Sequence, residues 1–211
     1  LGKENVAPRV ILTEGGSMTD IYVYNQLTKD NNGNIKVDQN GNLGITSSNT
    51  PVKVGNLDAD FNLGWTNHFT YKGIDLGVVL SARVGGLAYS ATQGILDYYG
   101  VSGTSATARD NGGIPINNGK VNAQKYYQTI GTGEGGYGRY YLYSATNVRL
   151  QELSLNYTLP KRWFKNVANV TLGIVGRNLW MIYCKAPFDP ELSASTSSNY
   201  YMNVDLSLIH I

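Results

Sequence analysis

The amino-acid sequence predicts an all-β fold, an antiparallel meander of long strands of the kind that crosses a bilayer as part of a β-barrel. Three observations predict it. Apolar and polar residues alternate over long runs, the runs are longer than ordinary strands, and the connections between them are alternately short and long. Strands of soluble proteins average about 5 to 6 residues, whereas a tilted strand needs about 9 to 11 to cross the hydrocarbon.

The stretch Asp60–Arg83 carries the clearest alternation. Its odd positions are mostly apolar up to Tyr71, and its even positions are apolar from Ile74 onwards. Lys72 and Gly73, which lie between the two halves, suit a tight turn. Because successive side chains of a strand point to opposite faces, this pattern predicts an antiparallel hairpin with one apolar and one polar face.

Three further long strands are predicted downstream, within Arg139–Thr158, Ala168–Trp180 and Tyr200–Leu208. In the first of these the apolar positions change from even to odd near Gln151 and Glu152. An extra residue in one strand of a pair produces such a change of phase, so a β-bulge is predicted there.

The connections of the five predicted strands differ in length. Lys72–Gly73 and Pro160–Asn166 are short, whereas Val84–Gly138 and Met181–Asn199 are long. Outer-membrane barrels have short periplasmic turns and long extracellular loops, so this arrangement favours a barrel. Two alternatives remain open: a soluble or surface β-sandwich that binds carbohydrate through its tyrosines, and a passive porin-like barrel.

The other segments are predicted to be mostly loops. Residues 1–59 contain two Asp/Asn/Gly turn signals, and Ile35 and Val37 between these signals are predicted to pair with Ile21, Tyr22 and Tyr24 in a short hairpin. Within the long connection after the first hairpin, Tyr89–Tyr99 predicts a short helix.

Composition excludes several functions. Only 15% of the residues are charged and the net charge is +2, which gives no electrostatic basis for binding nucleic acid. His68 and His210 are the only histidines and Cys184 is the single cysteine, with none of the spacings that hold zinc. The sequence therefore predicts no metal, no cofactor, no catalytic residue and no enzymatic activity.

Four segments, in order along the chain, resemble the C-terminal part of SusC/RagA-type TonB-linked outer-membrane transporters. They are KVGNLDADFNLGW at Lys53–Trp65, ATQGILDYYGVS at Ala91–Ser102, NVRLQELSLNYTLPKRW at Asn147–Trp163 and VGRNLWMIYCKAPFDPE at Val175–Glu191. The resemblance extends from about Ile21 to Asn199.

The resemblance implies a large transmembrane β-barrel of about 22 strands with a plugged lumen and long extracellular loops. Residues 60–211 would supply its last five strands and residues 1–59 an extracellular loop region. The family's plug domain and TonB box lie upstream, so the chain is interpreted as a fragment. Its end, Asp205–Ile211, departs from the aromatic finish usual in the family, which suggests truncation or foreign residues.

The resemblance also implies a function and partners. A multi-pass barrel in the outer membrane of a Gram-negative cell would import nutrients, typically glycans or peptides. The TonB complex would drive import through the missing N-terminal part, a SusD-like lipoprotein would capture substrate, and outer-membrane lipid would surround the barrel.

Two groups of residues are candidates for functional contacts. Five lie in the long connection and are expected to face a glycan or peptide, or to pack against the lipoprotein partner: Asp97, Tyr98, Tyr99, Arg109 and Asp110. Four are expected to face the lumen, or to pair with charges of the plug or of neighbouring strands: Asp75, Arg83, Glu152 and Arg177.

Overall fold

A computed structural model of the protein describes residues 8–131, 137–165 and 167–191. The strands in this part of the chain are β1 (Arg9–Val10), β2 (Asp20–Leu27), β3 (Ile45–Asn56), β4 (Phe61–Tyr71), β5 (Ile74–Val84), β6 (Leu87–Tyr89), β7 (Ile114–Ile116), β8 (Gly119–Val121), β9 (Leu142–Ser144), β10 (Asn147–Thr158) and β11 (Thr171–Cys184). The α-helices are α1 (Ala91–Tyr98), α2 (Gly103–Asp110) and α3 (Ala123–Ile130), and 3-10 helices span Gly138–Tyr141 and Lys161–Phe164.

These elements form two compact units. The first unit comprises residues 8–58 and 87–143, and the second comprises residues 59–86 and 144–191. The stretch 87–143, which the sequence assigns to the barrel part, therefore folds together with the N-terminal residues. None of the helices in the described segments has the length and hydropathy needed to cross a bilayer.

The second unit is an antiparallel sheet in which β4, β5, β10 and β11 are neighbours in chain order. These strands have 11, 11, 12 and 14 residues, so each reaches the length of about 9 to 11 that a membrane crossing needs. The predicted all-β meander of long strands is thus confirmed. The fifth predicted strand, Tyr200–Leu208, lies outside the described residues.

The predicted hairpin of β4 and β5 is confirmed. The two strands pair without interruption from Tyr71 opposite Ile74 to Phe61 opposite Val84. Lys72 and Gly73 adopt positive φ angles of 47° and 87°, as both central residues of a type I′ turn must. A Cβ atom on Gly73 would lie 2.9 Å from the Thr158 carbonyl oxygen, so the turn needs glycine for space as well as for conformation.

The predicted bulge in β10 is also confirmed. Its pairing with β5 steps from Leu150 opposite Leu80 to Glu152 opposite Val79, which leaves Gln151 as the extra residue. The Gln151 side chain accepts a hydrogen bond from Ser81 Oγ at 2.8 Å. The bulge lets apolar positions on both sides of it stay on the same face of the sheet.

One face of this sheet is apolar and exposed. Leu63, Leu172 and Ile174 are 59%, 62% and 77% exposed, and aromatic side chains such as Trp65 and Phe69 share the face. Contiguous apolar surface of this extent marks an interaction or membrane surface rather than a surface in contact with water.

In the first unit, β2 is the central strand of a sheet with β1 and β3. Ile21 and Val23 of β2 are 3% and 2% exposed. The expected pairing of Ile35 and Val37 with Ile21, Tyr22 and Tyr24 is wrong. Ile21 already pairs with Val10 on one side and Gly55 on the other, and Tyr22 pairs with Arg9 and Lys53.

Ile35 and Val37 lie in two local turns instead. Ile35 forms an isolated bridge with Lys29, and Val37 forms one with Leu43. The Asp30 carboxylate accepts the backbone N–H groups of the residues two and four positions later, at 2.8 and 2.9 Å, and Asp38 does the same. Because these Asx turns close the chain over a few residues, they outcompete a long-range pairing.

Candidate functional site

A pocket of about 290 Å³ lies among α1, α2 and α3 of the first unit. Four of the five candidates predicted in the long connection line this pocket: Asp97, Tyr98, Tyr99 and Arg109. Asp110, the fifth, does not line it. Sequence reasoning missed Gln124 and Gln128, which α3 adds to the wall.

The wall from α1 is shaped by the way this helix begins and ends. The Ser90 side chain caps its start by accepting the Gln93 N–H. At its end Gly100 adopts a φ of 71°, and the N–H groups of Gly100 and Val101 donate to the carbonyls of Asp97 and Leu96 at 3.0 Å. This is a Schellman motif, which requires a residue that tolerates the left-handed conformation. The predicted short helix is therefore confirmed.

The two tyrosines at this helix end support each other. Their rings pack edge to face, with centroids 5.2 Å apart and an interplanar angle of 87°. Tyr98 is half-buried, whereas Tyr99 is 73% exposed. The contact holds an exposed aromatic ring at the pocket without burying it.

Asp97 lies within the wall and ties two helices together. It is 2% exposed, and its Oδ1 accepts hydrogen bonds from Gln93 Nε2 and Thr104 Oγ1, both at 3.0 Å, and from Ser102 Oγ. Ser102 is also the N-cap of α2, where its side chain accepts the Ser105 N–H. The carboxylate thus joins α1 to the start of α2.

A group of tyrosines packs behind Asp97. Tyr127 and Tyr141 are 4% and 0% exposed. Burial raises the pKa of the Tyr141 phenol well above its usual range, and the Asp97 charge raises it further. Burial and the same charge raise the pKa of Tyr143 to about 12. These phenols therefore stay neutral at physiological pH and bring no further charge to the site.

Arg109 is the exposed charge of the pocket. Its Nη1 donates to the Gly100 carbonyl oxygen at 2.6 Å, and the residue is exposed. A Cβ atom on Gly100 would lie 3.0 Å from this Nη1. The absence of a side chain at Gly100 therefore lets the guanidinium rest against the end of α1.

The four predicted lumen residues share the polar face of the sheet in the second unit, as the strand register requires. Glu152 lies directly opposite Arg177, and Arg177 Nε donates to Glu152 Oε2 at 2.9 Å. Asp75 Oδ1 lies 3.5 Å from His68 Nδ1 on the same face. Arg83 lies opposite Asn62 on one neighbouring strand and Asn147 on the other.

A buried ionic cluster in the second unit has no counterpart among the predicted residues. Arg149 Nη2 donates to Asp189 Oδ1 at 2.7 Å and lies 3.2 Å from Glu191 Oε2, and Asn147 Nδ2 donates to Glu191 Oε1 at 3.1 Å. The cluster joins the start of β10 to the segment after β11. In the described segments no group of three or more potential metal-ligating side chains occurs.

Comparison with known proteins shows that this chain is similar to part of longer proteins. No family model matches it. The chain is 26% identical over 182 residues to the TonB-dependent receptor P3 of Formosa agariphila, a match that covers 85% of this chain and 17% of the relative. The chain therefore spans about a sixth of that relative's length.

Two solved structures share its fold. The RagAB peptide importer in its closed-closed state matches with a TM-score of 0.53 and 19% identity over 88% of this chain and 21% of the other. The same importer in its open-open state gives a TM-score of 0.54 and 17% identity over 81% of this chain and 19% of the other. At these identities the likeness concerns the fold.

In its long strands and exposed apolar face the chain resembles part of an outer-membrane β-barrel, and its sequence is similar to that of a TonB-dependent receptor. The predicted resemblance to the SusC/RagA type of these receptors is confirmed, and so is the predicted outer-membrane localisation.

Proposed function

We propose that the chain is part of a TonB-dependent transporter that imports nutrients, either glycans or peptides, across the outer membrane with a SusD-like lipoprotein. The exposed apolar face of the sheet formed by β4, β5, β10 and β11 carries this proposal. Burying apolar surface gains about 25 cal/mol per Å², so a protein in water does not leave such a face uncovered. In a barrel these side chains face lipid.

A β-sandwich accounts less well for the same face. Two packed sheets lie about 10 Å apart and bury the side chains between them. Leu63 and Ile174 are 59% and 77% exposed, so within the described residues no second sheet covers these side chains.

The polarity of the proposed barrel follows from the strand connections. The tight turn at Lys72 and Gly73 would face the periplasm, as would the connection between β10 and β11. Residues 1–59 and the segment with the three helices would then face the outside, where the SusD-like lipoprotein would bind. Residues 60–211 would supply the strands that close the barrel. TonB would bind a segment upstream of this chain. We propose no catalytic activity.

The membrane orientation is tested with spin labels in the intact parent protein, reconstituted in vesicles. Labels at Leu63 and Leu76 on the apolar face are expected to be accessible to oxygen dissolved in the acyl chains. A label at Thr66, on the polar face of β4, is the control and should respond to a water-soluble relaxation agent instead. Labels on the apolar face that are inaccessible to both agents would indicate a protein core and contradict the proposal.

Import is tested by uptake of labelled oligosaccharides and oligopeptides into cells with and without the parent gene. Uptake that requires both the parent protein and an energised TonB complex is the expected result. Uptake that persists after TonB is removed would instead favour the passive porin-like alternative. The labelled substrate that enters decides between glycans and peptides.

A further inference from the structure

We infer that the pocket among α1, α2 and α3 binds a carboxylate group of the imported substrate and that Arg109 is the residue that holds it. The inference rests on the proposed function for the identity of the ligand as a substrate. The pocket itself, its charge and its shape are properties of the first unit alone.

Charge is the first argument. Asp97 and Arg109 are the charged side chains that line the pocket. Asp97 is 2% exposed, and its Oδ1 accepts three hydrogen bonds from Gln93, Ser102 and Thr104. Arg109 is exposed and uses Nη1 for the Gly100 carbonyl. A ligand therefore meets the guanidinium rather than the carboxylate, and that favours an anionic group.

The second argument is that the guanidinium is held in place before a ligand arrives. The 2.6 Å hydrogen bond to Gly100 fixes one end of the planar group, and the missing side chain at Gly100 makes room for it. Arg109 is exposed, and its hydrogen bond among the described residues is the one that Nη1 makes, so Nε and Nη2 keep their donors for a ligand. These donors suit two parallel hydrogen bonds to a carboxylate, which are stronger than bonds between neutral groups.

The third argument is the chemistry of the remaining wall. Gln124 and Gln128 are four residues apart on α3, so both amides lie on one face of the helix, and both are exposed. Each amide donates and accepts hydrogen bonds. The exposed ring of Tyr99 adds an apolar surface. Together these groups suit a ligand that combines a carboxylate, further polar groups and an apolar face.

The size of the pocket restricts what enters. Its volume of about 290 Å³ is just below the roughly 300 to 1,000 Å³ that small-molecule sites occupy. One residue of an oligomer fits such a space. The carboxylate then has two possible sources, an acidic sugar residue or the C-terminus of a peptide.

Binding to the intact parent protein in detergent, measured by calorimetry, tests the inference with matched pairs of probes. The sugar arm compares galacturonic acid with its methyl ester, and the peptide arm compares N-acetyl-alanyl-alanine with its C-terminal amide. In at least one arm the acid is expected to bind about tenfold or more tightly than its neutral partner, as for a charge-assisted hydrogen bond. The arm that shows this difference identifies the source.

Variants locate the site. Arg109→Met should abolish the preference for the acid, and Arg109→Lys should retain part of it because the charge remains. Arg139→Met removes another exposed arginine, one that does not line the pocket, and is the matched control. Gln124→Leu should weaken the binding of the acid and of its neutral partner to the same extent, because it removes a hydrogen-bonding group that carries no charge.

Three results would overturn the inference: equal affinity for acid and neutral probes, no binding of any probe, or an unchanged preference in Arg109→Met. These results are distinct from a failure of the proposed function. A parent protein that imports substrate without binding acids contradicts the pocket assignment alone. One that binds acids but imports nothing contradicts transport, and with it the identity of the ligand as a substrate, but leaves the carboxylate site in place.

Discussion

Arg149 and Asp189 form a buried ion pair in which Nη2 donates to Oδ1 at 2.7 Å, and the two side chains are 8% and 2% exposed. The two residues are 40 positions apart in the sequence. The pair holds the segment after β11 against the start of β10 and so fixes one end of the sheet.

Breaking this pair should destabilise the protein strongly. Asp189→Ala would leave the Arg149 charge buried with less compensation, and the loss of one partner of a buried pair typically costs about 3 to 5 kcal/mol. The free energy of unfolding of the intact parent protein, measured by urea titration in detergent, checks this value. Glu191→Ala is the control and should cost less, because Glu191 is 35% exposed.

A double variant separates the charge from the packing. Arg149→Met combined with Asp189→Leu should recover much of the stability that Asp189→Ala loses, because apolar pairs of similar volume often replace buried ion pairs without loss. If Asp189→Ala lowered the free energy of unfolding by less than about 1 kcal/mol, the ion pair would contribute little to stability.

The pair between Glu152 and Arg177 should behave differently. Its Nε to Oε2 distance of 2.9 Å is also short, but the two side chains are 32% and 78% exposed. Pairs in contact with water are worth about 0 to 1 kcal/mol. Arg177→Met is therefore expected to change the free energy of unfolding by less than about 1 kcal/mol, and less still at 1 M salt. If Arg177→Met lowered the free energy of unfolding as much as Asp189→Ala does, the polar face would not be in contact with water.

The turn between β4 and β5 should be sensitive to any side chain at Gly73. Gly73→Ala combines an unfavourable positive φ with a Cβ contact of 2.9 Å to the Thr158 carbonyl oxygen. Gly64→Ala, on β4, is the control, because no atom lies within 4 Å of its Cβ position. We expect a cost of about 1 to 3 kcal/mol for Gly73→Ala and a neutral or slightly stabilising effect for Gly64→Ala.

The same turn offers a stabilising change. Lys72 has a φ of 47°, a conformation that asparagine adopts more readily than lysine. Lys72→Asn should raise the unfolding free energy by a few tenths to about 1 kcal/mol. A decrease would show that the lysine makes a contact that matters more than its backbone conformation, such as its position 5.1 Å from the centre of the Tyr71 ring.

The twin Asx turns of the first unit should depend on pH. Backbone N–H groups of Asn34 and Asn42, donating to the carboxylates, hold the pKa values of Asp30 and Asp38 below their usual range. A lowered pKa means that the turns are stabilised above the ordinary carboxyl pKa of about 3.9 and lose this stabilisation as the pH falls through the lowered value. Both turns should therefore persist from neutral pH down to about pH 4 and open below it.

Selective ¹⁵N labelling of asparagine in the intact protein provides the measurement. The amide signals of Asn34 and Asn42 should titrate together, below the pH at which a free aspartate titrates. In Asp38→Asn the side chain keeps an acceptor oxygen but cannot titrate, so Asn42 should lose its pH dependence while Asn34 keeps it. Titration of Asn34 at the ordinary aspartate pKa would contradict the assignment.

The sequence predicted the features that depend on neighbouring residues. The β4–β5 hairpin, its two-residue turn, the bulge at Gln151 and α1 all follow from alternation or from turn and cap chemistry within a few positions. Interactions between residues far apart in the chain were missed. The pair of Arg149 with Asp189 is an example, because no local pattern marks it.

The pocket was predicted only in part for the same reason. Three of its residues were predicted because they are aromatic or charged and lie in a long connection: Tyr98, Tyr99 and Arg109. Gln124 and Gln128 join them only because α3 packs against α1. The eight residues of α3 give only a weak periodicity, and this helix, unlike α1, was not predicted. Asp97 was expected to face a glycan or peptide, or to pack against the lipoprotein partner, whereas it is 2% exposed and accepts three hydrogen bonds within the wall.

The extra residue at Gln151 offsets a change of phase in the sequence of β10. The apolar positions are even up to Leu150 and odd from Leu153, so in a strand without a bulge one of these two sets would point to the polar face. Because Gln151 stands outside the pairing, Leu150 and Glu152 lie opposite consecutive residues of β5. Deleting Gln151 alone would therefore leave a regular strand with every remaining side chain on its present face, and the strand would lose only the local bend and the hydrogen bond from Ser81 Oγ.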